Sequence, residues 1–258
     1  MEDIMAAIQI RNISIGTGKP KICIPLTQTN IISLEEECRK LLQVPCDLAE
    51  WRADFFDDLL IPGRLEEVLQ MLRRTLGEIP LLFTIRTRSE GGNTDMAPDD
   101  YLACCRAAAD TGLIDLADAE LSMGDDIFSR LIHAAHRQGV YVIGSRHDFR
   151  KTPSREDLLS SLDKMHLLGA DIGKYAVMPH TKRDVLTLME ASLAMNERFP
   201  DFPVITMSMG RLGVLSRMGG AISGSCVTFG TAGHASAPGQ IPAEELANIL
   251  NILDNTAT

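Results

Sequence analysis

Eight short apolar runs recur along the 258-residue chain, each followed by enough residues for one helix. The runs are KICIPL (21–26), DLAEWRAD (47–54), LLFTIRT (81–87), LIDLADAEL (113–121), VYVIGSRHDF (140–149), DIGKYAVMP (171–179), PVITMSMG (203–210) and SCVTFG (225–230). This alternation predicts an α/β fold, a (β/α)8 TIM barrel, with a doubly wound open sheet as the alternative. We expect a single domain over 1–258, with the barrel proper at about 20–253. The segment IQIRNISIG (8–16) is predicted as a β-hairpin that closes the bottom.

Helical patterns fill the intervals between these runs. They cover 33–43, 64–77, 97–112, 125–139, 154–169, 182–199 and 242–253. Several begin at Asp or Ser and end at Gly, as helices with capped ends do. Ser33 is the predicted N-cap of the first helix.

Charge, cysteine content and the lack of long apolar runs limit which binding partners and which cellular compartment are expected for this chain. The formal net charge of −10 argues against a nucleic-acid or anionic-membrane surface, although a small anionic ligand responds only to local charge. The six cysteines form no CxxC pair and have no histidine spacing suited to zinc, so we expect reduced thiols and no metal. The sequence lacks a signal-peptide pattern and an apolar run of membrane-spanning length. These features predict a cytoplasmic protein.

Polar side chains gather where the predicted strands end. In a (β/α)8 barrel the catalytic groups lie at the carboxyl ends of the strands. Side chains alternate between the two faces of a strand, so one inward orientation would gather several of them in one pocket. The residues so gathered are Glu50, Arg52, Arg86, His147 and Lys174. Arginines from several segments inside an acidic protein predict an anionic ligand such as a carboxylate.

Lys174 lies inside the predicted strand ADIGKYAVMP (170–179), where burying an ammonium without a partner is costly. One interpretation is a neutral amine, favoured by desolvation and nearby cations, that attacks a carbonyl as a Schiff-base lysine. The other is an ion pair with Glu50 or Asp171. His147 is correspondingly either a general acid and base or a satisfied rim histidine.

Seven motifs carry a resemblance to a known family. They are EWRAD (50–54), FTIRTRSEGG (83–92), HDF (147–149), GADIGKYAVMP (169–179), ITMSMG (205–210), GVLSRMGG (213–220) and SAPGQI (236–241). In this order and register, the chain resembles type I 3-dehydroquinate dehydratases over about residues 20–253. The resemblance implies a homodimeric (β/α)8 barrel without metal or organic cofactor. It also implies dehydration of 3-dehydroquinate to 3-dehydroshikimate in the shikimate pathway, by syn elimination through a lysine Schiff base.

The resemblance also implies a role for each matching residue. Lys174 corresponds to the imine-forming lysine, His147 to the proton-shuttling histidine and Glu90 to the acid that orients it. Substrate contacts fall on Glu50, Arg52 and Arg86 for the hydroxyls, Arg217 for the carboxylate, and Ser236 and Gln240 on a closing loop. Pro25 departs from the pattern, because a small polar residue is expected there.

Two other functions remain open from the residues themselves. One is a different Schiff-base barrel, an aldolase acting on a keto acid or sugar phosphate, although the chain has no clear phosphate loop. The other is a barrel that binds quinate-like or shikimate-like acids as a sensor, without turnover. The sequence does not distinguish a biosynthetic role from quinate breakdown.

Overall fold

A computed structural model of the chain describes residues 7–233 and 239–255. The strands are β1 (Ile8–Ile10), β2 (Ile13–Ile15), β3 (Lys21–Leu26), β4 (Leu48–Arg52), β5 (Leu81–Thr84), β6 (Leu116–Glu120), β7 (Tyr141–Asp148), β8 (Ile172–Val177), β9 (Val204–Ser208), β10 (Val227–Thr231) and β11 (Ile241–Pro242). The α-helices in these ranges are α1 (Ile31–Leu41), α2 (Arg64–Leu76), α3 (Pro98–Asp110), α4 (Asp125–Arg137), α5 (Arg155–Leu167), α6 (Lys182–Arg198), α7 (Val214–Met218), α8 (Gly220–Ser223) and α9 (Ala243–Asn255). Each predicted strand run overlaps one observed strand of β3–β10, and only β10 extends past its run, by one residue.

The strands β3 to β9 pair in parallel in chain order, and β10 pairs with β3. A parallel bridge between Val204 and Ser225 joins β9 to the segment that leads into β10, so the sheet returns on itself. The predicted (β/α)8 barrel is therefore confirmed, and the open-sheet alternative is wrong. Within the described residues, no helix combines the length and apolar character needed to cross a bilayer.

The predicted N-terminal hairpin is also confirmed. Strands β1 and β2 pair antiparallel, and Ile10 and Ile15 are buried against apolar side chains from the barrel interior, including Leu82 and Ile143. Arg11 takes a positive φ of 48° at the turn and pairs with Asp115, which precedes β6. The hairpin thus closes the end of the barrel where the strands begin.

Four side chains make the same kind of hydrogen bond to a backbone N–H at this lower end of the barrel, where the strands begin. Each of the four lies just before one strand, β4, β6, β8 or β10. Each accepts a hydrogen bond from a backbone N–H of the preceding barrel strand, which is β3, β5, β7 or β9 respectively. The donor and acceptor pairs are Ile22 and Asp47, Leu81 and Asp115, Val142 and Asp171, and Thr206 and Ser225, at 2.7 to 3.0 Å. These contacts satisfy strand-end donors that would otherwise be buried without partners.

Helix α1 begins two residues before the predicted N-cap. Asn30 has an extended backbone, and its side chain accepts a hydrogen bond from the Ser33 backbone N–H at 3.0 Å. The prediction of Ser33 as N-cap is therefore wrong. Asn and Ser cap helices comparably well, so residue type alone did not distinguish Ser33 from Asn30.

The strands divide their side chains between two environments. Outward residues such as Trp51 and Phe83 pack under the helices, while inward residues near the strand starts, such as Leu82 and Ile172, form a second apolar layer above the hairpin. Above that layer the inward positions become polar, as at Glu50 and Lys174. The change from apolar to polar places the candidate site at the carboxyl ends of the strands.

Candidate active site

A pocket opens at the carboxyl ends of the barrel strands. Its lining is Glu50, Arg52, Arg86, Glu90, Gly91, His147, Phe149, Lys174, Ala176, Met207, Met209, Arg217, Phe229 and Gln240. Eight of the nine site residues predicted from sequence are therefore in this lining. The ninth, Ser236, lies outside the described residues. Pro25 is buried in β3, opposite Glu50 in the register with β4.

Lys174 occupies the middle of β8 and is 3% exposed. Its Nζ lies 3.4 Å from Glu50 Oε1 and 3.3 Å from Asp118 Oδ2, and 4.6 Å from the centre of the Phe229 ring. The ion pair considered for Glu50 is thus present, whereas Asp171 lies at the strand start and binds the Val142 backbone N–H. Two carboxylates and an aromatic face stabilise positive charge on this nitrogen, and the nitrogen still lines the pocket.

The side chain of Arg86 lies among acidic groups. Its guanidinium donates to Asp118 at 2.7 Å, to Glu120 at 2.9 Å and to Ser145 Oγ at 2.9 Å, and lies 3.6 Å from Glu90. Burial would lower the pKa of Arg86, but Asp118, Glu120 and Glu90 together raise it well above its usual value. Arg86, one of the cations expected to disfavour the ammonium form of Lys174, is therefore matched by carboxylates.

Asp118 and Glu120 were missed as site residues from the sequence. Burial would raise the pKa of Asp118, but Arg86, Lys174 and Ser145 hold it below its usual value, so this carboxylate stays ionised. Both acids lie two apart on β6 and share the inward face. The sequence LADAE (116–120) alternates in the same way as the strand that carries Glu50 and Arg52. The alternation of strand side chains between two faces would therefore have placed Asp118 and Glu120 in the pocket region as well.

His147 and Glu90 form a hydrogen-bonded pair. Glu90 Oε2 lies 3.0 Å from His147 Nδ1 and accepts a second hydrogen bond, also 3.0 Å, from the His147 backbone N–H. When Glu90 is ionised it only accepts, so Nδ1 then donates to it and Nε2 carries the lone pair. The structure thus brings together the two residues that the resemblance pairs as shuttle and orienting acid.

Burial shifts the pKa values of His147 and Glu90 in opposite directions. It lowers the pKa of His147 well below its usual value, and the nearby cations Arg86, Lys174 and Arg52 lower it further. Burial raises the pKa of Glu90 to about 7, against the opposing influence of Arg86. At neutral pH the imidazole is therefore uncharged and able to accept a proton, while Glu90 is close to its own titration.

Three further predicted residues complete the lining. The guanidinium of Arg52 donates to both carboxylate oxygens of Asp54 at 2.8 Å. Arg217, on α7, is 2% exposed, and burial lowers its pKa to about 10, which leaves it cationic at neutral pH. Gln240 enters the pocket from the segment before β11. Within the described ranges, no three His, Cys, Asp or Glu side chains are grouped to hold a metal ion.

A family profile described as Type I 3-dehydroquinase matches residues 22–257. The chain belongs to the type I 3-dehydroquinase family. One relative, the 3-dehydroquinate dehydratase of Clostridioides difficile, is 45% identical to this chain over 246 residues. The alignment covers 95% of this chain and 96% of the relative. The 3-dehydroquinate dehydratase of Bacillus licheniformis is 45% identical over 246 residues, covering 95% and 97%.

Solved structures of 3-dehydroquinate dehydratases have the same fold as this chain. The type I 3-dehydroquinate dehydratase of Clostridium difficile, crystallised with covalently modified comenic acid, has a TM-score of 0.95 at 44% identity, covering 98% of this chain and all of that one. The 3-dehydroquinate dehydratase of Geobacillus kaustophilus has a TM-score of 0.96 at 37% identity, covering 100% of both chains. This type I chain is therefore similar to its relatives over its whole barrel.

Proposed function

We propose that the pocket around Lys174 is where this type I enzyme of the shikimate pathway dehydrates 3-dehydroquinate to 3-dehydroshikimate through a lysine imine. One observation carries the proposal. The buried Lys174 nitrogen lines the same small pocket as an uncharged histidine paired with a carboxylate. A nucleophilic amine and a general base in one pocket are the two groups that imine-based elimination requires.

The first stage is imine formation. The Lys174 ammonium gives a proton to a neighbouring carboxylate, and the amine then attacks the ring ketone of the substrate. The carboxylate returns its proton and the amine gives a second one to the former carbonyl oxygen, which leaves as water while the nitrogen becomes a cationic iminium. Asp118, 3.3 Å from Nζ and held ionised, stabilises this positive charge. Holding the ketone beside the amine supplies part of the acceleration.

The second stage is the elimination. The iminium withdraws electrons and acidifies the neighbouring C–H, whose proton passes to Nε2 of His147. Glu90 accepts the hydrogen bond from Nδ1 and stabilises the imidazolium that forms. His147 then gives the proton to the departing hydroxyl, which leaves as water as the new C=C bond forms. Hydrolysis of the imine releases the product and restores Lys174.

The remaining predicted residues hold the substrate. Arg217 binds its carboxylate, and a buried guanidinium that is still cationic at neutral pH suits that role. Glu50, Arg52 and Arg86 contact the hydroxyls, and Ser236 and Gln240 close over the ligand.

Borohydride trapping tests the proposal. Hydride adds to the imine carbon, and the resulting secondary amine is located by peptide mass spectrometry. Unmodified enzyme and Lys164→Met, an exposed lysine on α5, should carry the adduct on Lys174 after incubation with 3-dehydroquinate. Lys174→Met should carry none and should give no ultraviolet absorbance from the conjugated enone. An adduct on another residue, or enone formation by Lys174→Met, refutes the mechanism; saturable binding without enone in unmodified enzyme supports a sensor instead.

We further propose that the chain works as a single-domain, cytoplasmic homodimer. Exposed apolar side chains support this assembly: Leu186 and Leu193 lie on α6, and Leu212, Leu215 and Ile222 lie on the segments 211–213, 214–218 and 220–223 that contact α6. Soluble proteins seldom expose such groups together unless another molecule covers them.

The exposed stripe of α6 is also complementary to itself. Arg183 lies near its N-terminal end, Leu186 and Leu193 in the middle, and Glu197 near its C-terminal end. A second copy of α6, placed antiparallel across a two-fold axis, would bring Arg183 against Glu197 and the leucines against each other. Light scattering of Leu193→Glu should then show a monomer, while Leu60→Glu, an exposed leucine after β4, should leave the mass unchanged. A monomeric unmodified protein contradicts the assembly.

A further inference from the structure

Asp54 accepts four hydrogen bonds from groups that belong to two parts of the site. It lies in the single turn Ala53–Phe55 after β4, with a side chain that is 0% exposed. Its oxygens accept from Arg52 Nε and Nη2 at 2.8 Å each, and from the backbone N–H groups of Arg86 and Asn93 at 3.1 Å each. Charge-assisted bonds in a dry environment fix their donors within a narrow geometry.

The two backbone donors are the two ends of one loop. This loop is the segment 86–93 of the connection between β5 and α3: Arg86 begins it, Asn93 ends it, and Glu90 lies between them. The loop is tightly folded, since the Gly92 N–H donates to the Thr87 carbonyl at 2.7 Å and a Cβ on Gly92 would lie 1.9 Å from the Arg86 carbonyl oxygen. A loop this compact moves as a unit, so a carboxylate that holds both its ends also sets the position of Glu90.

We propose that Asp54 is a positioning residue for the reaction, an inference that rests on the proposed function. It fixes the Arg52 guanidinium at the substrate hydroxyls and, through the loop, the Glu90 carboxylate at His147 Nδ1. Its own oxygens accept from these four donors, and Asp54 is not among the residues that line the pocket. One buried charge therefore links a substrate contact to the acid–base pair, and its loss should impair binding and proton transfer together.

Asp47 supplies a matched comparison. Its side chain likewise accepts a backbone N–H, that of Ile22 at 2.8 Å, but at the opposite end of the barrel from the pocket. Asp47→Asn and Asp54→Asn make the same chemical change, replacing an oxygen with an amide group that donates toward existing donors. Both should lower the melting temperature, and only Asp54→Asn should alter catalysis.

The experiment measures kcat, KM and the pH dependence of kcat/KM for both variants of the full-length enzyme. For Asp54→Asn we expect a higher KM, a lower kcat and a loss of kcat/KM of about tenfold to a hundredfold, since small misplacements of catalytic groups have that effect. The inflection of its pH profile should also move, because the Glu90 carboxylate is no longer held at His147. Asp47→Asn should keep the unmodified inflection and kcat/KM within about twofold, as expected away from the site.

Asp54→Glu keeps the charge that neutralises Arg52 and provides the same readout if Asp54→Asn does not fold. Its oxygens are displaced by one methylene, so the loop shifts, and we expect a lower kcat with a moved pH inflection. The proposal is overturned if the folded Asp54 variant matches Asp47→Asn in kcat/KM and pH profile. Borohydride labelling of Lys174 in the unmodified enzyme separates the two claims, because its absence refutes the proposed function and not the role of Asp54.

Discussion

Arg86→Leu removes the cation that three buried carboxylates share. Asp118 and Glu120 have no exposed side-chain surface, Glu90 has 4%, and all three lie 2.7 to 3.6 Å from the guanidinium. Breaking a buried ion pair by removing one partner costs about 3–5 kcal/mol. For a protein of this size, each 1 kcal/mol lowers Tm by about 2–4 °C, so we expect a loss of about 6–20 °C.

The pH dependence of this loss gives a second signature. In the unmodified protein the pKa of Asp118 is held below its usual value, so its contribution to stability is present at neutral pH and is lost as the pH falls through the folded pKa. Without Arg86, burial raises the carboxylate pKa values, and the variant loses stability as the pH rises. The difference in Tm between the two proteins should therefore shrink between about pH 7.5 and about pH 5.

Differential scanning calorimetry at several pH values measures both effects. Arg130→Leu is the control, because Arg130 pairs with Asp126 on the exposed face of α4 at 54% and 77% exposure. Surface pairs of this kind contribute about 0–1 kcal/mol, so its Tm should fall by only a few degrees at every pH. The reasoning is refuted if Arg86→Leu loses no more stability than Arg130→Leu, or if its deficit stays constant with pH.

Two further changes address the acid–base pair and the lower end of the barrel. Glu90→Gln should lower kcat roughly tenfold, less than loss of the His147 base itself; it should also abolish the rise in kcat as pH increases through about 7, where ionised Glu90 begins to stabilise imidazolium. A persisting inflection near that pH would assign it to another group. Asp115→Ala removes partners of Arg11, Arg73 and the Leu81 backbone N–H and should cost about 3 kcal/mol of unfolding free energy. Its kcat should be unchanged, and a clear drop in activity would contradict the separation of the two ends.

Local patterns in the sequence predicted most of the fold and much of the site. Strand parity is a property of neighbouring residues, so the shared faces of Glu50 with Arg52 and of Ser145 with His147 could be read directly. The βα alternation likewise fixed the number of barrel strands. Because the sheet closes into a barrel, the polar residues at the carboxyl ends of the strands meet in one pocket, where (β/α)8 barrels have their catalytic groups.

The balance of charge in the pocket could not be predicted in the same way. Counting cations around Lys174 without the acids of β6 suggested a more positive site than the structure contains, since Asp118 contacts both Lys174 and Arg86. Asp54 ends the motif EWRAD, but its positioning role could not be predicted, because two of its donors are backbone groups 32 and 39 residues further along the chain. Such contacts depend on loop geometry that residue types do not encode.

The four side-chain acceptors at the lower end group the barrel strands into consecutive pairs. Each contact spans only 19 to 34 residues of chain, so each pair of strands can form before the ring is complete. Native-state hydrogen exchange should accordingly detect openings that release two neighbouring strands at a time, leaving the rest of the barrel protected.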